Sequence, residues 1–280
     1  MNQQSSPDIG TELESLESLR ERYGDAVFSP QAGGNAKGGT QRTAQEPVPA
    51  SVAEQSFRPT MRPTTPRLTL LDDGESVSGE VIRLREAVTV IGRSDGDVRI
   101  SHDSLISKRH AELIRDGTGS HSQWLLRDLD SANHTFVSCA TSLLQPNRLI
   151  ILGSLRFRFR PPGAPLTAAG PVEATSRADV PKDQLGLWPA LVATTSTGPD
   201  GIVPLSGISL TVGRPGAGND IELDDPLIAA RHALITRQPS GQWQIKAMPS
   251  RNGVWVQIKT VRLTSLCRFQ CGEQRFLFSL

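Results

Sequence analysis

From Arg67 onward the chain runs in short apolar stretches separated by turn residues: RLTLLD, EVIRLR, AVTVIG, HAELIR, QWLLRDL, TFV, RLIILG and LRFRFR. In the last of these, Leu155, Phe157 and Phe159 alternate with Arg156, Arg158 and Arg160. That period of two turns one face toward a core and the other toward water. The texture breaks at PPGAPLTAAGPVEATSRADVPKDQ, a Pro/Ala/Gly-rich stretch that reads as a linker. It returns with PALVAT, GISLTVG, NDIEL, HALITR, QWQIKA, VWVQI and QRFLFSL. Short strands punctuated by turns predict an all-β protein. The expectation is two antiparallel β-sandwich domains in tandem, at 67–162 and 188–280, with the linker at 163–187.

Residues 1–66 are rich in Gln, Ser, Gly, Pro and Thr and poor in large apolar side chains, which predicts a disordered tail. Within it, Leu13, Leu16 and Leu19 are spaced for a short amphipathic helix near 11–23, with a stop at Gly24. An isolated helix of that length is marginal, so fraying weighs above partner docking.

The two β regions repeat one another. VIGRSDGDVRISHDSLISKRHAEL is echoed by VGRPGAGNDIELDDPLIAARHAL, QWLLRDLDSANHTFV by QWQIKAMPSRNGVWV, and LGSLRFRF by CGEQRFLF. Arg93 recurs as Arg214, His110 as His232 and Asn133 as Asn252, at offsets of 119 to 122 residues. A near-constant offset over three landmarks indicates duplication, and units of this size are whole domains rather than solenoid repeats.

The landmarks are Gly-Arg after a strand, then Ser or Ala followed three residues later by His, then Asn after another strand. In order, GR…SKRH…SANHT resembles the signature of the FHA (forkhead-associated) domain, and GR…AARH…SRNGV resembles a second copy. The resemblance covers nearly all of 67–280 and is to tandem FHA proteins of bacterial type. It implies a sandwich whose loops at one end bind a phosphothreonine peptide. Arg93 and Ser107 would contact the phosphate, and Lys108 sits where the family often places a further contact. Asn133 would hydrogen-bond the peptide main chain, His110 would pin the loops, and Gly92 would let the backbone turn into the loop that aims Arg93. The chemistry agrees: a phosphate dianion needs fixed donors, which a guanidinium fork, a hydroxyl and an ammonium supply.

Taken singly, each residue has a plainer explanation: a solvated arginine, a turn-capping serine, a core histidine. The ordered combination, found twice, outweighs it. The first copy departs from the family pattern at His134, where Gly is usual, and at Ala132, where Ser or Thr is common. The second departs further: Ala229 replaces Ser107 and Ala230 replaces Lys108, while Arg214, Arg251 and Asn252 remain. The second site is therefore expected to be degenerate for phosphate, with Arg251 as a substitute charge the counter-reading.

The function this implies is a phosphothreonine-dependent adaptor in Ser/Thr kinase signalling, binding through the first copy. Its partners would be phosphothreonine-containing proteins, the kinase or its substrates. The alternative is a phosphate-independent structural or oligomerising module. Thr60, Thr64 and Thr65 lie among Arg and Pro in FRPTMRPTTPRLTL, as kinase substrates do. Some small bacterial FHA regulators dock their own phosphorylated segment, and self-binding here would follow that pattern, against the simpler reading of a linker.

Thirty basic and 29 acidic residues give a net charge of +1, which supplies no drive toward nucleic acid or an anionic membrane. Three cysteines, Cys139, Cys267 and Cys271, fit a reducing, cytoplasmic compartment rather than a disulfide framework. Cys267 and Cys271 read as core residues, not metal ligands, and no cofactor is expected. The acidic pairs Asp72–Asp73 and Asp224–Asp225 read as solvated turn residues. GRPGAGND is Gly-rich but lies between strands, so it does not form a nucleotide loop, and the chain is not expected to be an enzyme.

Overall fold

The structure, a computed structural model, describes residues 10–15, 17–18, 65–72, 77–117, 122–164, 174–176, 186–194 and 201–280. A short strand, β1 (Thr11–Leu13), comes first. The first repeat supplies β2 (Arg67–Leu71), β3 (Gly79–Arg83), β4 (Val88–Gly92), β5 (Val98–Arg99), β6 (Ala111–Asp116) and β7 (Gln123–Asp128). It continues with β8 (Thr135–Leu143), β9 (Leu149–Leu152) and β10 (Leu155–Arg160). After β11 (Ala174–Ser176), the second repeat supplies β12 (Ala190–Ala193), β13 (Ile202–Pro204), β14 (Ser209–Gly213), β15 (Ile221–Leu223) and β16 (Ala233–Arg237). It ends with β17 (Trp243–Ala247), β18 (Val254–Ile258), β19 (Thr260–Leu263), β20 (Leu266–Cys271) and β21 (Gln274–Ser279).

These strands form two sandwiches, mostly antiparallel, and each draws on both repeats. In the first, one layer runs β5-β4-β6-β7-β19. The facing layer runs β3-β2-β21-β20-β8, with Leu68 opposite Phe278 and Phe269 opposite Val137. The last three strands of the second repeat thus complete the sandwich begun by the first. The exchange is reciprocal. In the second sandwich β15-β14-β16-β17 is closed by the C-terminal end of β8, and β13-β12-β10-β9 by β18. Strand pairing therefore does not follow the contiguous bounds 67–162 and 188–280.

Strand β8 makes the crossing. Its nine residues, TFVSCATSL, hold no Gly or Pro to turn the chain back, and Thr135, Val137 and Thr141 favour extended backbone. Thr135–Cys139 pair with β18 and Thr141–Leu143 with β17, so one continuous strand serves both sandwiches. The core is continuous as well. Val137, Val256, Phe269, Ile150, Phe276 and Phe278 are buried in one cluster. Trp124 and Phe278, one from each repeat, meet across the layers with ring centroids 5.8 Å apart. Burying each such aromatic is worth about 2–3 kcal/mol, so the exchanged strands carry much of each sandwich's stability.

Three expectations change. Near 11–23, Thr11–Leu13 is a strand paired with Cys139–Ser142, not the start of a helix, and only 17–18 of the following residues are helical among those described. Glu14 explains the preference for the strand: it is buried against the Arg268 guanidinium at 2.8 Å and accepts the Ser138 hydroxyl. In the linker 163–187, Ala174–Ser176 pairs with Ile221–Leu223 at the sheet edge. Arg160, expected on the solvent face, is buried and donates to the Trp188 carbonyl. Thr60 and Thr64 lie outside the described residues.

Candidate functional site

Three loops at one end of the first sandwich bring the expected residues together. Gly92 ends β4, and a Cβ there would lie 2.0 Å from the Lys108 carbonyl, so only glycine allows the loops to approach. The Arg93 N–H donates to the Ser107 carbonyl at 2.9 Å, and its guanidinium to Ser104 O at 3.3 Å. Asp95 N donates to the Lys108 carbonyl. Arg93 and Ser107 are half-buried and Lys108 is exposed, which leaves the charges facing water.

The Ser107 hydroxyl accepts the Ala132 N–H at 3.0 Å, which orients it and keeps its own proton available as a donor. The contact uses the backbone of residue 132, so an alanine there serves. Asn133 Nδ2 donates to the Leu105 carbonyl at 2.8 Å and ties the second loop to the third. His110 is fully buried beneath them. Its Nδ1 accepts Ser107 N–H and its Nε2–H donates to the His134 carbonyl at 3.1 Å, which fixes a neutral tautomer. Burial pulls its pKa below the ordinary value, partly opposed by the His134 carbonyl. His134 holds φ +63 where the second repeat has Gly253 at φ +65, so the turn is kept with histidine in it.

The second site keeps the scaffold and lacks two of the first site's donors, the hydroxyl of Ser107 and the ammonium of Lys108. Arg214 N bonds the Ala229 carbonyl, Ala229 N bonds His232 Nδ1, His232 Nε2 bonds the Gly253 carbonyl, and Asn252 Nδ2 bonds the Leu227 carbonyl. These are the same bonds as in the first site. Ala229 has no hydroxyl and Ala230 no charge; Arg214 and Arg251 are exposed.

Two groups escaped sequence reasoning. Asp103 is buried, and its Oδ2 accepts Glu273 N at 2.7 Å and Gln274 N at 3.2 Å. Its counterpart Asp225 was expected to be solvated; it too is buried, with Oδ2 on Ser154 N and the Ser154 hydroxyl. Each aspartate clasps the β-turn of the opposite repeat. The signal was the adjacent turn acid itself, but its partner lies beyond any local window. Lys259 is the other: its ammonium is 2.7 Å from Asp130, whose pKa it lowers by hydrogen bond and charge. Cys267 and Cys271 are buried thiols, and burial pushes Cys267 up to about 12. Among the described residues no group of three or more His, Cys, Asp or Glu could hold a metal, and no helix is long and apolar enough to cross a membrane.

The family model for the FHA domain matches residues 89–153 and again 210–272. The chain is a tandem FHA-domain protein. FHA domains are phosphothreonine-binding modules. One solved chain, from a structural and functional analysis of phosphothreonine-dependent FHA domain interactions, is 41% identical over 26% of this chain and 69% of its own length, with a TM-score of 0.22. Another, the FHA domain of the CT664 protein of Chlamydia trachomatis, is 27% identical over 34% of this chain and 95% of its own, with a TM-score of 0.23. No curated protein matches the chain.

Proposed function

We propose that the chain is a non-enzymatic adaptor that binds phosphothreonine segments of partner proteins at the first-repeat site, in a Ser/Thr kinase pathway. The observation that carries this is the Ser107 hydroxyl, oriented by Ala132 N, on a loop whose Ser107 and Lys108 carbonyls are bonded by Arg93 N and Asp95 N. That set offers a charged fork, a neutral donor and an ammonium to one dianion. The second site, with Ala229 and Ala230, acts as a structural module that does not depend on phosphate.

Self-binding through Thr65 favours a neighbouring molecule. Leu84 N bonds the Pro66 carbonyl, so Thr65 lies at the end of the sandwich where β4 begins, whereas Arg93 follows the end of β4. The strand's length separates them.

Fluorescence polarisation of the full chain against a degenerate phosphothreonine peptide library and its unphosphorylated twin tests the reading. Phosphate-dependent binding lost in Arg93→Ala and Ser107→Ala is expected. Equal binding of both peptide forms would overturn it.

A further inference from the structure

The strands that the second repeat lends to the first sandwich also reach the loop that carries Ser107 and the loop whose Ala132 N–H bonds its hydroxyl. Under the loop at 100–110, Asp103 Oδ1 accepts Leu105 N at 2.8 Å, while Oδ2 holds Glu273 N and Gln274 N. The turn fits there because it carries Gly272 at φ +60. A Cβ on it would lie 2.5 Å from Asp103 Oδ2 and 2.8 Å from Ile106 Cγ1. Beside the loop at 128–134, Asp128 N donates to the Lys259 carbonyl at 2.9 Å. The Lys259 ammonium reaches Asp130 at 2.7 Å and Asp128 at 4.0 Å. Asp128 in turn accepts Ser131 N, the Ser131 hydroxyl and the Thr135 hydroxyl, and so shapes the loop that presents Ala132 and Asn133.

Only part of this framework recurs in the second sandwich. The aspartate clasp occurs in both sandwiches, with Asp225 and Gly153 mirroring Asp103 and Gly272. The Lys259 network occurs in one. At the offset of the strands, Lys259 corresponds to Ala140, Asp128 to Ala247 and Asp130 to Pro249. The exchanged cation is delivered only to the side that retains Ser107 and Lys108.

We propose that Lys259 and the Gly272–Gln274 turn of the second repeat are positioning elements of the first-repeat phosphopeptide site, which is thus a composite of both repeats. The inference rests on the phosphopeptide reading for its ligand, but not for its geometry. The exchanged segments preset the loops that aim Ser107 and Asn133, and neither segment touches the peptide.

The test uses the full chain with four substitutions and two readouts. Lys259→Ala is expected to weaken phosphopeptide binding roughly two- to fivefold, the scale of an exposed ion pair, with Lys259→Arg restoring it. Gly272→Val should weaken it about tenfold or more, through a strained turn pushed into Asp103. Gly153→Val, the same insult beneath the second site, should leave the first site's affinity unchanged. Hydrogen exchange of the unliganded protein is the second readout. Gly272→Val should loosen 100–108 and Gly153→Val should loosen 222–230. Should the exchange pattern hold while no phosphopeptide binds, the composite stands and only the ligand reading falls. If Gly153→Val loosens 100–108, or if Lys259→Ala changes neither affinity nor exchange at 128–134, the positioning proposal is overturned.

Discussion

Val137 and Val256 hold the same place in the two repeats and face each other across the antiparallel ladder between β8 and β18. Around them the pairing is self-complementary. Thr135 faces Ile258 and Cys139 faces Val254, each pair the image of the other. Val137 also pairs with Phe269 of β20, just as Val256 pairs with Ile150 of β9. A pseudo-twofold axis therefore passes between the two valines, and the exchange is of the isologous kind that two separate molecules make when they swap strands. Here one chain does both parts. The two sites cannot swing independently, because each sandwich is closed by the other repeat.

Restoring donors to the second site should restore binding, since its scaffold bonds are already made. Ala229→Ser with Ala230→Lys is expected to give phosphopeptide affinity at the second site in an Arg93→Ala background. A hydrogen bond to a charged group is worth about 1.5–3 kcal/mol, roughly one to two orders of magnitude in Kd. Calorimetric titration with a phosphothreonine peptide measures the gain.

His134 should tolerate glycine well. Its backbone already sits at φ +63, beside Gly253 at φ +65. His134→Gly is expected to leave stability unchanged or raise it by up to about 1 kcal/mol, while His134→Val should cost more than about 1 kcal/mol. Urea denaturation read by tryptophan fluorescence checks both.

Acid should weaken the fold through His110. Its folded-state pKa lies below its unfolded value of 6.5, chiefly because burial disfavours the charged ring. Above that unfolded value both states are neutral and stability is at its full level. As pH falls below it, the unfolded chain gains the proton first and stability drops, by at most about 1.4 kcal/mol per pH unit. His134, lowered by burial but more exposed, adds a smaller contribution of the same sign. Urea midpoints between pH 7.5 and 5 should fall in the wild type and fall less in His110→Gln.

Glu14 fastens the N-terminal strand. It and Arg268 are each 4% exposed at the side chain, and Arg268 also lies over Trp255 at 5.5 Å. Glu14→Ala leaves a buried guanidinium without its carboxylate and is expected to cost about 3 kcal/mol. Glu14→Ala with Arg268→Met should cost less than the single change, and chemical denaturation compares them.

The strands, the duplication and the Arg93, Ser107, His110 and Asn133 constellation were legible because each rests on local period or spacing. The exchange was not. Leu68 can pair with Phe278 or with its repeat-mate Phe159, and the local pattern is the same in either case. Lys259 was illegible for the same reason, since its acidic partners lie in the other repeat. Glu14 was hidden by polarity: a carboxylate among leucines suggests a helix face, and only the tertiary position of Arg268 makes it a buried strand end. Asp225 looked solvated because its partner Ser154 is distant in sequence.

The measurement that tests the exchange most directly is disulfide mapping. Leu125 and Arg262 are paired across β7 and β19, and the repeat-mate of Arg262 is Leu143. Leu125→Cys with Arg262→Cys, oxidised in the monomer fraction and mapped by mass spectrometry, should give the peptide linking 125 to 262, while Leu125→Cys with Leu143→Cys should give no link. A link between 125 and 143, with none between 125 and 262, would show that each repeat closes on itself and would contradict the account.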